Sequence, residues 1–220
     1  MGVAVVTGAN RGIGLELCRL LRERGATVVG VCRKSAPALE GLGVRVEAGI
    51  DVRDPAAGPE LARRLAGEAI DLLVHNAGVL RYERLGDVSA DGLLEHFQVN
   101  AMGPVLLTQA LLPLLARGSK IAVVTSLMGS IGDNGSGGAY GYRMSKAALN
   151  IAAVSFARDL ADRGIAVVVL HPGFVRTEMT GNRGNVEPAD AARGLLARID
   201  ELKLETSGRF FHQDGRELPW

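Results

Sequence analysis

The stretch VAVVTGANRGIGLELCRLL (residues 3–21) decides the fold. Residues 3–6 form an apolar, β-branched run too short for a helix, so they read as a strand. A glycine-rich segment, TGANRGIG (7–14), follows. Ile13, Leu17, Leu20 and Leu21 then recur at helical spacing, with Gly25 as a stop. Glycines 8, 12 and 14 allow a sharp turn and a close approach of backbone to a ligand. The helix that starts there points free N–H groups and a positive dipole end back at the loop, which suits a diphosphate. The spacing is G-x-x-x-G-x-G rather than the commoner G-x-G-x-x-G. A glycine loop alone could be a structural turn. Its place between a first strand and a periodic helix favours a dinucleotide.

Working outward, further strands are expected at 27–31, 44–48, 70–74, 120–125, 165–170 and 208–211. Helices are expected at 59–65, 90–116, 142–163 and 188–202, the second of them tolerating Pro104 and Pro113 with a kink or break. Strands and helices alternate throughout. Most strands are continuous Val/Ile/Leu runs, as in a sheet covered on both faces. The pattern predicts an α/β fold: a Rossmann-type, doubly wound parallel sheet with right-handed crossovers. No repeat, linker or composition break appears, so residues 1–220 are expected to form one NAD(P)-binding domain.

The net charge of +1 gives no reason to expect nucleic acid as a partner. No apolar run reaches membrane-spanning length, and MGVAVVTG has no basic leader, so neither a membrane span nor a signal peptide is expected. Cys18 and Cys32 imply no disulfide framework, which makes a reducing cytoplasm the default. Four histidines and two cysteines show no metal spacing.

A site for NAD commonly carries an acid at the end of the second strand to hold the ribose 2′-hydroxyl. Here that strand ends VVGVCRK, with Cys32, Arg33 and Lys34 at the position. A carboxylate would repel a 2′-phosphate, whereas a guanidinium bonds one in a forked geometry. Arg33 is therefore expected to favour NADP(H), with Arg11 of the glycine loop reaching the same phosphate, against the plainer reading that these cations solvate a turn. In AYGYRMSKAALN (139–150), Tyr142 has Lys146 at i+4 and Tyr140 has Met144. On a helix only Tyr142 shares a face with an ammonium. An isolated YxxxK is common by chance, so the rest of the chain has to decide.

With those residues in hand, the chain resembles the short-chain dehydrogenase/reductase family over nearly its full length. TGANRGIG looks like the family's cofactor loop, with Gly8, Asn10, Arg11, Gly12, Ile13 and Gly14. Asp51 and Val52 resemble the pair at the adenine. HNAG (75–78), with Asn76, Ala77 and Gly78, resembles the NNAG turn, with His75 in place of Asn. VNAMG supplies Asn100, VVTS supplies Ser126, and YRMSK supplies Tyr142 and Lys146. HPGFVRT, with Pro172, Gly173, Val175 and Thr177, resembles the turn at the nicotinamide end. Within the family, SLMGSIGDNGSGGAYGYRMSKAALN and GRFFHQDGRELPW look most like C-factor and sniffer-type carbonyl reductases. Two departures stand out. Fifteen residues separate Ser126 from Tyr142, the excess absorbed by the glycine-rich 132–138. Only ten separate Thr177 from Pro188, so the substrate lid is short and the site is expected to be open.

The resemblance implies hydride transfer between NADP(H) and a carbonyl or alcohol, with Tyr142 as general acid, Lys146 tuning it and holding ribose, Ser126 bonding the substrate oxygen, and Asn100 holding a water that feeds protons to Lys146. The chemistry agrees: a phenol with pKa about 10 is a reluctant partner, and a neighbouring ammonium favours the phenolate. For Asn100 the alternative is a helix-interior amide bonded to nearby backbone. His75 is expected to pack or to bond backbone, and Tyr140 to wall the pocket. Trp220 is expected to pack on a partner subunit or on nothing. The apolar helices leave a face for a homo-oligomer, a dimer or tetramer by family analogy. A dehydrogenase run toward oxidation, and a NAD(P)-binding signalling or sensor protein with little turnover, are the competing functions.

Overall fold

The computed structural model describes residues 2–220. Seven strands form one sheet: β1 (Val3–Thr7), β2 (Thr27–Val31), β3 (Arg45–Glu47), β4 (Ile70–His75), β5 (Leu115–Val124), β6 (Ala166–His171) and β7 (Phe210–His212). Their order is β3-β2-β1-β4-β5-β6-β7, and every pairing between them is parallel. The direction of winding reverses between β1 and β4. Open parallel sheets take their ligands at such a switch point, beyond the carboxyl ends of the strands.

Alternation along the strands divides the core into two layers. Val5, Val29, Leu73, Ile121, Val123, Val167 and Val169 face one side, under α3 (Ala57–Arg64), α5 (Gly103–Leu111) and α6 (Tyr140–Asp159). Ala4, Val6, Val28, Val74, Ala122, Val168 and Leu170 face the other, under α1 (Gly12–Glu23) and α7 (Pro188–Glu201). Both faces are covered, which is why the strands read as unbroken apolar runs. Two further helices, α2 (Pro37–Glu40) and α4 (Ala90–Phe97), lie in the connections. The four-residue α2 escapes a sequence reading because one turn has no periodicity to detect.

The expected helix over 90–116 is four pieces. After α4 comes a π-helical turn, Gln98–Met102, then α5, then a 3-10 turn, Leu112–Leu114. Pro104 and Pro113 supply the reason. A proline has no N–H, so Pro104 leaves the carbonyl of Asn100 without its α-helical donor, and the backbone widens by one residue. Residues 115–116 already belong to β5. Helix α6 starts two residues before the expected 142. It is entered through Gly137, Gly138 and Ala139, all with positive φ (62°, 65° and 47°). No side chain of Ala139 can cap it. Glu83 does so from another loop, its Oε1 accepting from Gly141 N at 2.6 Å while its carbonyl accepts from Ala139 N at 2.8 Å. A carboxylate there also offsets the positive end of the helix dipole.

Candidate active site

The glycine loop and the turn after β4 are locked together at the switch point. Thr7 Oγ1 accepts from Asn76 N (3.0 Å) and Ala77 N (3.1 Å) and donates to the carbonyl of Val74. Asn76 Nδ2 donates back to the carbonyls of Thr7 (3.0 Å) and Gly8 (3.3 Å). The amide of Asn76 therefore ties one loop to the other. Gly8 has φ +66°, and a Cβ on Gly14 would stand 2.2 Å from Gly8 O, so no larger residue fits at Gly14. Ile13 packs against the α1 face of the core. Asn10 and Arg11 stay in the loop, Arg11 at the helix N-cap with no capping bond of its own.

The chain after β6 closes the other side. Gly173 has φ +86°, Pro172 and Val175 are buried, and Thr180 Oγ1 donates to Val175 O at 2.7 Å. A Cβ on Gly12 would lie 3.3 Å from Thr177 Cγ2, so HPGFVRT folds over the glycine loop. Arg11, expected at a phosphate, instead pairs with Glu178 at 2.5 Å, both side chains about two-thirds exposed. An acid one residue beyond Thr177 outcompetes open solvent for that guanidinium.

At the end of β2 the buried thiol of Cys32 is followed by exposed Arg33 and Lys34. Arg33 is near enough to Asp51 to help hold its carboxyl below the usual range, after the stronger hydrogen bond from Arg53, whose guanidinium lies 2.6 Å away. Ser35 Oγ is buried without a hydrogen-bond partner. It is a donor in the same turn that sequence reading passed over; a hydroxyl following two cations is the only signal it gave. Val52 packs under α5, its carbonyl 2.8 Å from where a Cβ on Gly103 would be. A cradle that admits only glycine, a helix N-terminus, two free cations and an unpaired hydroxyl together fit a nicotinamide dinucleotide with a 2′-phosphate.

Ser126 follows β5, and Tyr142 and Lys146 lie one turn apart on the buried face of α6. All three are nearly inaccessible. Ser126 stands close enough to the Tyr142 phenol to lower its pKa, and its Oγ accepts from Met128 N at 3.2 Å. Lys146 Nζ lies 5.8 Å from the centre of the Tyr142 ring and donates to Val124 O at 3.0 Å. The expected tuning of the phenol does not appear. Burial pushes Tyr142 up to about 12, against a lowering by Ser126, and the same burial pushes Lys146 down to about 8. Desolvation opposes both charges, and the ammonium is turned to a carbonyl rather than to the hydroxyl. Asn100, in the π-helical turn, is buried. Its Oδ1 accepts from Val79 N (2.8 Å), and its Nδ2 donates to Val79 O and Ser145 Oγ (3.0 Å each). The amide pins the strand exit beside Gly78 instead of pointing at Lys146.

His75 bonds a side chain, Thr108 Oγ1 at 2.8 Å, and burial holds its pKa down to about 4. His171, beside Pro172, is also lowered to about 4, and its Nδ1 is buried without a partner. Among the described residues no cluster of three or more metal-ligating side chains occurs. No helix is long and apolar enough to cross a membrane. Trp220 stacks on Phe210 of its own chain, ring centres 5.3 Å apart.

Beside the buried phenol opens a cleft of about 890 Å³, walled by Tyr82, Leu85, Met128, Phe174 and the arginines 84, 143 and 183. Tyr140, expected as a wall, does not line it; Tyr82 does, and its charge couples to that of Tyr142. Tyr82 stands in the loop after β4, outside any periodic element, so nothing local marked it. From the short segment before α7, Arg183 reaches the cleft wall.

Residues 2–187 match the family model for short chain dehydrogenases. The 1-hydroxy-2-glutathionyl-2-methyl-3-butene dehydrogenase of Rhodococcus sp. (strain AD45) is 40% identical over 226 residues, covering all of both chains. Among solved structures, the carbonyl reductase Sniffer of D. melanogaster superposes with a TM-score of 0.92 at 31% identity, over 100% of this chain and 99% of that one. The NADPH-bound carbonyl reductase from chicken fatty liver gives 0.88 at 30%, over 100% and 98%. The chain belongs to the short-chain dehydrogenase family and is an oxidoreductase.

Proposed function

We propose that the protein reduces aldehydes or ketones with NADPH. The observation that carries this is the meeting of Ser126, Tyr142 and Lys146 beside a glycine cradle for a dinucleotide. The bound cofactor supplies a hydride from nicotinamide C4 to the carbonyl carbon. Ser126 donates a hydrogen bond to the substrate oxygen and fixes its position. Tyr142 gives that oxygen its proton as negative charge builds there. A phenol held at about 12 keeps its proton across the working range, which suits the reducing direction. Lys146 replenishes the proton and holds the cofactor's ribose. Asn100 acts through position: its side chain is committed to Val79 and to Ser145, the neighbour of Lys146 on α6.

The missing acid after β2, Arg33, and the unpaired Ser35 hydroxyl support the 2′-phosphate, and the NADPH-bound chicken enzyme and the fly carbonyl reductase support both cofactor and direction. A binding-only sensor has no use for all four catalytic residues and is not favoured. We read the oligomer as a dimer closed by α4, the π-helical turn and α6, which expose Leu94, Met102, Met144 and Ile151 together. Free, buried thiols suit a reducing cytoplasm. The test is NADPH oxidation against a panel of aldehydes, ketones and quinones, with NADH in parallel. Turnover with NADPH is expected; none with any carbonyl would overturn the reading.

A further inference from the structure

Of the 21 arginines, 13 lie within 4 Å of a carboxylate, and the three that line the cleft, Arg84, Arg143 and Arg183, are not among them for any described residue. Arg143 follows Tyr142 directly and is half-buried. Neutral acceptors hold it: Met128 O and Gly137 O at 3.3 Å and Ser136 Oγ at 2.8 Å. Its guanidinium is thus fixed in place with its charge uncompensated. Arg84 and Arg183 come from the loops after β4 and β6, on either side. The cleft's one carboxylate, Glu83, is turned away to the N-terminus of α6. Three arginines and one glutamate leave +2 in a single cleft of a chain whose whole formal charge is +1. Exposed apolar surface lies between them: Tyr82, Leu85 and Phe174 are 61%, 82% and 47% exposed.

Cations with no carboxylate partner, lining a concave surface, are the arrangement that recognises an anion, and guanidinium forks match a carboxylate. A cleft of about 890 Å³ is at the upper end of small-molecule sites and far larger than a simple aldehyde needs. Resting on the carbonyl-reductase reading, we propose that this cleft selects carbonyl substrates that carry a carboxylate at the far end of an apolar segment. Tyr82, Leu85, Met128 and Phe174 cover the segment, and Arg84, Arg143 and Arg183 take the carboxylate.

The experiment compares 9-oxononanoate with its methyl ester, which differ in charge and hardly in length. The acid is expected to show a kcat/KM about tenfold above the ester at low salt, shrinking as salt screens exposed arginines. In Arg84→Gln, Arg183→Gln and their double variant the acid-to-ester ratio should fall stepwise toward one. Arg183→Glu, which leaves the cleft without net charge, should by itself bring the ratio to about one. Calorimetry with unreactive nonanoate, read as the same stepwise loss of affinity, needs no turnover. Equal kcat/KM for acid and ester in the wild type overturns the anion site while leaving carbonyl reduction intact. Absence of turnover with both, alongside nonanoate binding that depends on the arginines, upholds the anion site and sinks the reductase instead. Nonanoate binding indifferent to the arginines overturns the site.

Discussion

Burial acts on Tyr142 and Lys146 in opposite senses, and both effects have measurable consequences. Tyr142→Phe is expected to lower kcat by about a thousandfold, the middle of the range for losing a positioned acid, with cofactor affinity nearly intact. Tyr140→Phe should keep most of the activity, and titrating cofactor beside steady-state kinetics separates the two. An essential Tyr140 with a dispensable Tyr142 would reverse the assignment. Lys146, pushed down to about 8, is charged below that pH and neutral above it. Reduction should therefore slow as pH rises through about 8 in the wild type. Lys146→Met should lack that inflection and bind cofactor more weakly, so an unchanged profile and affinity count against both roles. Arg33→Ala should weaken NADPH by about fivefold and scarcely touch NADH, since an exposed charged hydrogen bond is worth about 1 kcal/mol. Arg11→Ala should do less, because Arg11 must first leave Glu178. Equal affinity of the wild type for NADH and NADPH, read by fluorescence titration, would rule out a 2′-phosphate site.

The π-helical turn is the element whose shape matters most to the chemistry. Pro104→Ala restores an N–H four residues after Asn100 and permits a continuous α-helix. The expected outcome is a melting temperature unchanged or raised, with kcat reduced about tenfold as Asn100 rotates off its place. Unchanged kcat would free the turn from any role. This turn also marks where sequence reading ran short. The strands and α1, α3 and α7 were legible because burial on two faces and amphipathic spacing each leave a local pattern. Residues 90–116 carried one apolar pattern through two prolines, and nothing local separates a kinked helix from a broken one. In the site, the tyrosine–lysine pair and the glycine loop are short in sequence and readable. What stayed hidden was made by distant pieces: Arg11 with Glu178, Glu83 at α6, Tyr82 beside Tyr142.

At the scale of the whole molecule, buried neutral histidines set the acid limit. His75 is held at about 4, below its ordinary 6.5, so between those values the unfolded chain binds more protons than the folded one. Stability is then lost as pH falls through that window. On going from pH 7 to pH 5, the wild type should lose about 2 kcal/mol more than His75→Asn, measured by urea unfolding at each pH. Parallel acid sensitivity in the two proteins would remove His75 as the cause. The strand order carries a different consequence. The first strand in the chain is central in the sheet, and the hydrogen bond from Val3 N to Asp71 at the foot of β4 spans 68 positions. One edge of β1 pairs with β2, the next strand made, but the other waits, unpaired and apolar, while the ribosome still makes β4. Closing so long a loop before any reward is slow, and high contact order places such folds toward the slower end of the range. An apolar strand edge is thus exposed until β4 is made, which makes Val3–Thr7 a place where folding in the cell needs shielding.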